Sequence, residues 1–200
     1  MKYEEFTKRN DFDLNHLISF AYGRLVEDPP DHFDARLPAP PFLMFDRILS
    51  MTKEGSRGSI IAEQDIRLDA WYFQCHFPGD PVQPGCLCMD AIWQLLGFYC
   101  VWRGALGAGR ALGSNEIIFQ GQIRPHNKVA RFEIMISRFQ DLKNTGSSLA
   151  VADGNVLIDG DLIATSRGAR VGIFQGIAYT DYPNASPHSL GGSNKVKKGI

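Results

Sequence analysis

Residues 86–103, CLCMDAIWQLLGFYCVWR, constrain this chain most. Only Asp90, Gln94 and Arg103 in that run are conventionally polar, and Gly97 alone weakens a helix. Pro84 supplies a fixed φ where a helix can start and lacks an N–H that the helix would leave unpaired. The pattern predicts a helix over 84–103, about 30 Å long at ~1.5 Å per residue. Such a helix could cross a bilayer. But Asp90 is costly against lipid, the flanks lack a basic bias, and the apolar run is under the usual ~20 residues. A buried helix is the better reading, and one apolar all round needs cover on every side. The rest of the chain is the expected wrapper.

The preceding stretch, 71–85 (WYFQCHFPGDPVQPG), cannot be helical throughout, because it holds three prolines and two glycines. WYFQC reads as an aromatic strand. Upstream, Asp13 predicts an N-cap for a helix over LNHLISFAYGRL, with Leu14, Leu17, Ile18, Ala21 and Leu25 as its apolar stripe. The proline-rich segment 27–48 reads as an extended connector. Residues 48–66 read as strand, turn, strand.

After the helix, 106–113 is a glycine-rich close, and 115–123 a strand. Residues 129–139 alternate cleanly, with Ala130, Phe132, Ile134 and Ile136 on one face. Residues 148–158 form the next strand, Asp159-Gly160 is a hairpin signal, and 162–165 and 169–174 complete the pattern. Consecutive hairpins imply a largely antiparallel sheet. The fold class is α+β, a sheet curled about one long helix. One sheet would leave part of that helix bare, which favours a partner subunit. The expected division is an N-terminal helix and connector over 1–36, a core domain over 37–175, and a flexible tail over 176–200.

A chain of 200 residues with 44% hydrophobic and 22% charged residues suits one globular domain. A net charge of −1 gives no electrostatic case for nucleic acid or anionic membranes. The first residues, MKYEEFTKRNDFD, lack the apolar centre of a signal peptide, so the expected compartment is the cytoplasm. The cysteines, Cys75, Cys86, Cys88 and Cys100, are expected as free thiols. With His76 they give C-H-x9-C-x-C, not a common zinc spacing, and Cys86 and Cys88 would point about 200° apart on a helix. No metal or cofactor is expected.

The candidate chemistry centres on His76. A lone histidine is as a rule a core residue satisfied by backbone, but three neighbours point further. Asp90 sits on a helix expected to be buried, where an acid is rare and desolvation raises its pKa. Gly85 and Cys86 put unpaired backbone N–H groups at the helix start, where an oxyanion could sit. The stiff loop at Gly79, Pro81 and Pro84 could bring His76 near both. This is a set for removing a proton next to a carbonyl. Cys75 beside His76 is less convincing as a nucleophile, because strand neighbours point to opposite faces.

CHFPGDPVQPGCLCMDAIWQLLGFY resembles the bacterial 3-hydroxydecanoyl-acyl-carrier-protein dehydratase/isomerase family of type II fatty acid synthesis. LPAPPFLMFDRI, GRALGSNEIIFQGQIRP, VADGNVLIDG and RVGIFQ extend the likeness, in the same order, over 37–175. The resemblance implies a hot-dog fold, usually a homodimer. It places the catalytic pair on His76 and Asp90, meeting across the subunit interface, and the oxyanion donor on the backbone at Gly85, with Cys86 near it. Aspartate at 90, where dehydratases without isomerase activity usually carry Glu, favours the bifunctional branch. Pro78, Gln83 and Cys88 depart from that branch's pattern.

The implied activity is dehydration of 3-hydroxyacyl-acyl-carrier-protein to the trans-2-enoyl form, with isomerisation to cis-3-decenoyl thioester. Phe73, Phe77, Trp93, Leu96 and Phe98 are candidate walls of an acyl tunnel, although each alone suits plain core packing. Acyl carrier protein is acidic, so Arg138, Lys143 and Arg170 are candidates for its dock. The rival readings are a hot-dog acyl thioesterase and a non-catalytic acyl-binding module or regulator.

Overall fold

A computed structural model of the chain describes residues 1–177, apart from the side chain of Lys143. The expected flexible tail lies, from residue 178 on, outside the described residues. Seven strands form one antiparallel sheet: β1 (Arg47–Glu54), β2 (Arg57–Asp65), β3 (Ala108–Gly113), β4 (Glu116–Phe119), β5 (Val129–Leu142), β6 (Ser147–Ile158) and β7 (Asp161–Phe174). The order is β1-β2-β5-β6-β7-β3, with β4 also paired to β7. Two short helices, α1 (Tyr3–Phe6) and α2 (Leu14–Ala21), precede the sheet, and α3 (Gly85–Trp102) runs across it. This is a hot-dog fold of the α+β class.

The strands alternate as their side-chain period of two requires. On β5, Ala130, Phe132, Ile134 and Ile136 are buried, while Arg131 and Glu133 are partly exposed. The inner face of β6 carries Ala150, Ala152 and Gly154, small residues that let α3 lie close. A Cβ on Gly154 would stand 2.8 Å from the Ile92 side chain of α3. The Asp159-Gly160 hairpin forms with φ values of 51° and 100°. The Asp159 carboxylate further accepts from the amides of Lys128 and Val129, both at 3.0 Å.

Thirteen of the 18 residues of α3 are buried. The helix is long and apolar enough for a membrane span, yet 72% of that window is buried inside the fold. The sheet covers one side of it, and the N-terminal segment covers much of the rest. Phe6, Phe12 and Phe20 pack on Phe98, with ring centroids 5.8, 5.0 and 4.9 Å apart. Trp102 Nε1 donates to the Arg9 carbonyl at 2.7 Å. The chain therefore supplies internally much of the cover that was expected from a partner.

Asp13 caps α2, accepting from the His16 amide at 2.9 Å. The helix stops at Ala21, and Phe20, outside the expected stripe, is one of its two buried residues. Pro84 is the N-cap of α3 rather than its first residue. Four expectations fail. WYFQC is not a strand: Trp71–Gln74 is a 3₁₀ turn. Adjacent Tyr72 and Phe73 are both buried there, which a strand with a single inner face cannot achieve. Residues 106–113 do more than end the helix, because β3 pairs with β7 at the sheet edge. The strand expected over 115–123 shrinks to β4. The two strands expected over 162–174 are one, β7.

Gly58 on β2 marks a tight point. Tyr99 Oη lies against the Thr52 and Arg57 carbonyls at 3.2 Å each. A Cβ at Gly58 would come within 2.2 Å of both Tyr99 Oη and the Thr52 carbonyl. Gly58→Ala must displace backbone or the buried ring, so it should lower unfolding free energy by about 1–3 kcal/mol in a urea titration. An unchanged midpoint would show that this corner of the sheet yields freely.

Candidate active site

His76 leaves the 3₁₀ turn with its amide bonded to the Tyr72 carbonyl at 2.8 Å. The loop after it closes on itself. Phe77 and Asp80 exchange both backbone bonds at 3.0 Å, and the Val82 amide returns to the His76 carbonyl at 2.8 Å. An Arg124–Asp80 ion pair and a 2.9 Å bond from the Gln83 amide to the Ile123 carbonyl tie the loop to the segment after β4. This backbone frame fixes the imidazole. His76 Nδ1 lies 2.9 Å from the Val82 carbonyl oxygen. A carbonyl only accepts, so Nδ1 carries the hydrogen, and in the neutral ring the lone pair sits on Nε2.

Pro84 then starts α3. The Leu87 amide bonds the Pro84 carbonyl at 3.0 Å, and the Gly85 and Cys86 amides have no backbone partner among the described residues. Gly85 lets the Phe119 ring lie close, since a Cβ there would stand 2.7 Å from it and push the ring aside. His76, Phe77, Gly85, Cys86, Phe119 and Ile163 all line one cavity of about 340 Å³. The structure thus brings together the candidate base and both candidate oxyanion donors.

Asp90 is elsewhere. Five residues past Gly85, it points about 140° further round the helix. It is partly exposed in the single chain, not buried as expected. It lines a second cavity, of about 240 Å³, with Leu37, Phe42, Trp93, Gln94 and Phe98. Buried Gln94 clamps it: Nε2 donates to Asp90 Oδ2 at 2.5 Å and to the Phe42 carbonyl at 2.9 Å. Gln94 Oε1 accepts from the Met44 amide at 3.1 Å. The carboxamide therefore fixes Asp90 Oδ2.

The tunnel candidates divide. Phe77, 54% exposed, borders the His76 cavity, whereas Trp93 and Phe98 border the Asp90 cavity. Phe73 and Leu96 are core residues that line neither. Among the docking candidates, Arg138 and Arg170 both face Val151 across neighbouring strands. They therefore share one side of the sheet, about 10 Å apart. Lys143 stands in the turn between β5 and β6.

Burial pushes the Cys88 and Cys100 thiols up to about 12, so both stay protonated and unreactive. Cys86 is exposed and Cys88 buried, on opposite sides of α3. Cys75 turns back toward the Trp71 and Tyr72 carbonyls, away from the His76 cavity. Phe119 and Ile163 escaped the sequence reading, because only the folding of β4 and β7 beside the helix start places them there. Gln94 was legible as the i+4 neighbour of Asp90, but not its bonds to the connector.

Several solved structures are similar at low identity. The dehydratase heterocomplex ApeI:P from Xenorhabdus doucetiae matches at 14% identity, over 68% of this chain and 84% of that one, with a TM-score of 0.48. A putative thioesterase from Shewanella oneidensis matches at 15%, over 80% and 96%, with a TM-score of 0.45. AziG from S. sahachiroi matches at 12%, over 63% and 90%, with a TM-score of 0.44. The FabA-like domain model matches residues 37–167, well over half the sequence. That stretch carries the His76 loop, the central helix and all but the end of the sheet, and the chain belongs to the FabA-like domain family.

Proposed function

We propose that this chain dehydrates 3-hydroxyacyl thioesters carried on acyl carrier protein, and also isomerises the trans-2 product to the cis-3 form. The observation that supports this most is the shared cavity of His76 and the α3 N-terminus. A base oriented through its Nδ1–H stands there beside unpaired amides. His76 Nε2 takes the C2 proton, and the electron pair moves into the thioester carbonyl. The Gly85 amide, with Cys86 beside it, holds the resulting oxyanion. As the carbonyl re-forms, the C3–oxygen bond breaks. Asp90 protonates the leaving hydroxyl, which departs as water. For isomerisation, His76 carries a proton from C4 to C2.

Asp90 lines a different cavity in its own chain, so this reading takes the acid from a second copy. The exposed edge gives that copy a seat. On β4, Ile117, Ile118 and Phe119 are 40%, 42% and 53% exposed, next to the His76 cavity. Arg138, Lys143 and Arg170 would receive the acidic carrier. Phe77, Trp93 and Phe98 would line the path of the acyl chain, with Phe73 and Leu96 behind them.

Incubation with 3-hydroxydecanoyl thioester tests the reading. The expected product is trans-2-decenoyl thioester, joined over time by the cis-3 isomer, with the thioester bond intact. Release of free thiol with the hydroxyl retained would make the protein a thioesterase. Binding without turnover would make it an acyl-binding module.

A further inference from the structure

Gln83 stands between the two halves of the candidate site. Its neighbour Val82 anchors the His76 ring, and Pro84 on its other side opens α3. The side chain is only 3% exposed, yet it is poorly satisfied. Nε2 has two long contacts, 3.5 Å to Gln64 Oε1 and 3.7 Å to Cys88 Sγ. Oε1 has no partner among the described residues. An unpaired buried acceptor keeps its desolvation penalty, and folded proteins hold few of them. An apolar side chain of similar shape would avoid that penalty. Gln83 lines the His76 cavity.

We propose that Gln83 is a substrate-binding residue whose Oε1 accepts a hydrogen bond from the substrate's 3-hydroxyl. This rests on the dehydration reading above. With C2 under His76 Nε2 and the thioester oxygen on the Gly85 amide, C3 is the next carbon inward. The cavity has an exposed rim of Phe77, Cys86 and Phe119, and buried Gln83 and Cys88 at depth. The carrier end of the thioester therefore lies at the rim and C3 lies toward Gln83. The Gln83 carboxamide turns its nitrogen to Gln64 and Cys88, so its oxygen faces another way. The terminal torsion of a glutamine is soft, and long contacts hold it loosely. A hydroxyl supplies the missing donor. It has one hydrogen and two lone pairs. Giving the hydrogen to Gln83 leaves both lone pairs for the proton from Asp90.

The test crosses the residue with the ligand. In His76→Ala protein, which cannot consume the ligand, calorimetry compares 3-hydroxydecanoyl-pantetheine with decanoyl-pantetheine. The hydroxylated ligand should bind about tenfold more tightly, because a polar group left unpaired discriminates against an analogue lacking its partner. Adding Gln83→Met should bring the ratio close to one, chiefly by weakening the hydroxylated ligand. In otherwise native protein, Gln83→Met should lower kcat/KM by about tenfold while raising Tm or leaving it unchanged. A ratio unmoved by Gln83→Met overturns the proposal. Gln83→Leu serves the same comparison if the methionine variant fails to fold, and loss of fold in both overturns it too, by making the residue structural. Native protein that dehydrates alongside an unmoved ratio removes this proposal alone. Native protein that does not dehydrate removes the underlying reading as well.

Discussion

His76→Ala and Asp90→Asn should each lower dehydration by about 10²–10⁴-fold, the range for a general acid or base, while the thermal midpoint stays close to native. The geometry explains why folding should survive. His76 is partly exposed, and its ring makes one bond, to the Val82 carbonyl. Water can satisfy that carbonyl once the ring is gone. The loop keeps its own backbone bonds between Phe77 and Asp80 and between Val82 and His76. Asparagine at 90 keeps a carbonyl oxygen for Gln94 Nε2, so the clamp on the connector persists. On the proposed mechanism, what Asp90→Asn removes is the group that protonates the leaving hydroxyl. Steady-state assay of the purified variants, with circular dichroism to confirm folding, gives the comparison. Near-native turnover by a folded variant would take that residue out of the mechanism.

How far the sequence could be read follows from which interactions are local. The ends of α3 were placed to within a residue, because Pro84 and the abrupt return of polar residues at Arg103 act within one turn. The Asp13 cap and the Asp159-Gly160 hairpin were equally legible, since each depends on two or three consecutive residues. WYFQC misled because aromatic content mimics strand propensity, while the backbone bond from Phe73 to Ala70 turns the segment. Residues 106–113 looked like loop because their glycines are poor strand formers, and pairing with β7 overrides that preference. The polar opening of the chain hid α1, where Phe6 alone is fully buried, beneath a cluster of distant rings. The roles of His76 and Asp90 could be proposed from residue type and the family likeness. Their separation into two cavities depends on the angle between Gly85 and Asp90 and on the loop path, neither of which is a local property of the sequence.

Mixing inactive His76→Ala with inactive Asp90→Asn protein should restore activity. Two features of the single chain motivate this. His76 and Asp90 line different cavities of the single chain, so the proposed acid–base pair calls for a second copy. Beside the His76 cavity, β4 leaves Ile117, Ile118 and Phe119 bare at the sheet edge, where a second copy could add its own elements. In a symmetric dimer each subunit would lend Asp90 to its partner's His76. Random exchange between the variants makes about half of all dimers mixed. Each mixed dimer has one site with both residues intact and one site with neither. Mixed dimers therefore hold half the native number of sites, and the whole mixture should recover roughly a quarter of native activity. Pull-down of one tagged variant checks that subunits have exchanged. Confirmed exchange without recovered activity would put both residues in one chain's site. The loop at His76 would then have to move toward Asp90 within that chain, and the bare β4 edge would lose its role in catalysis.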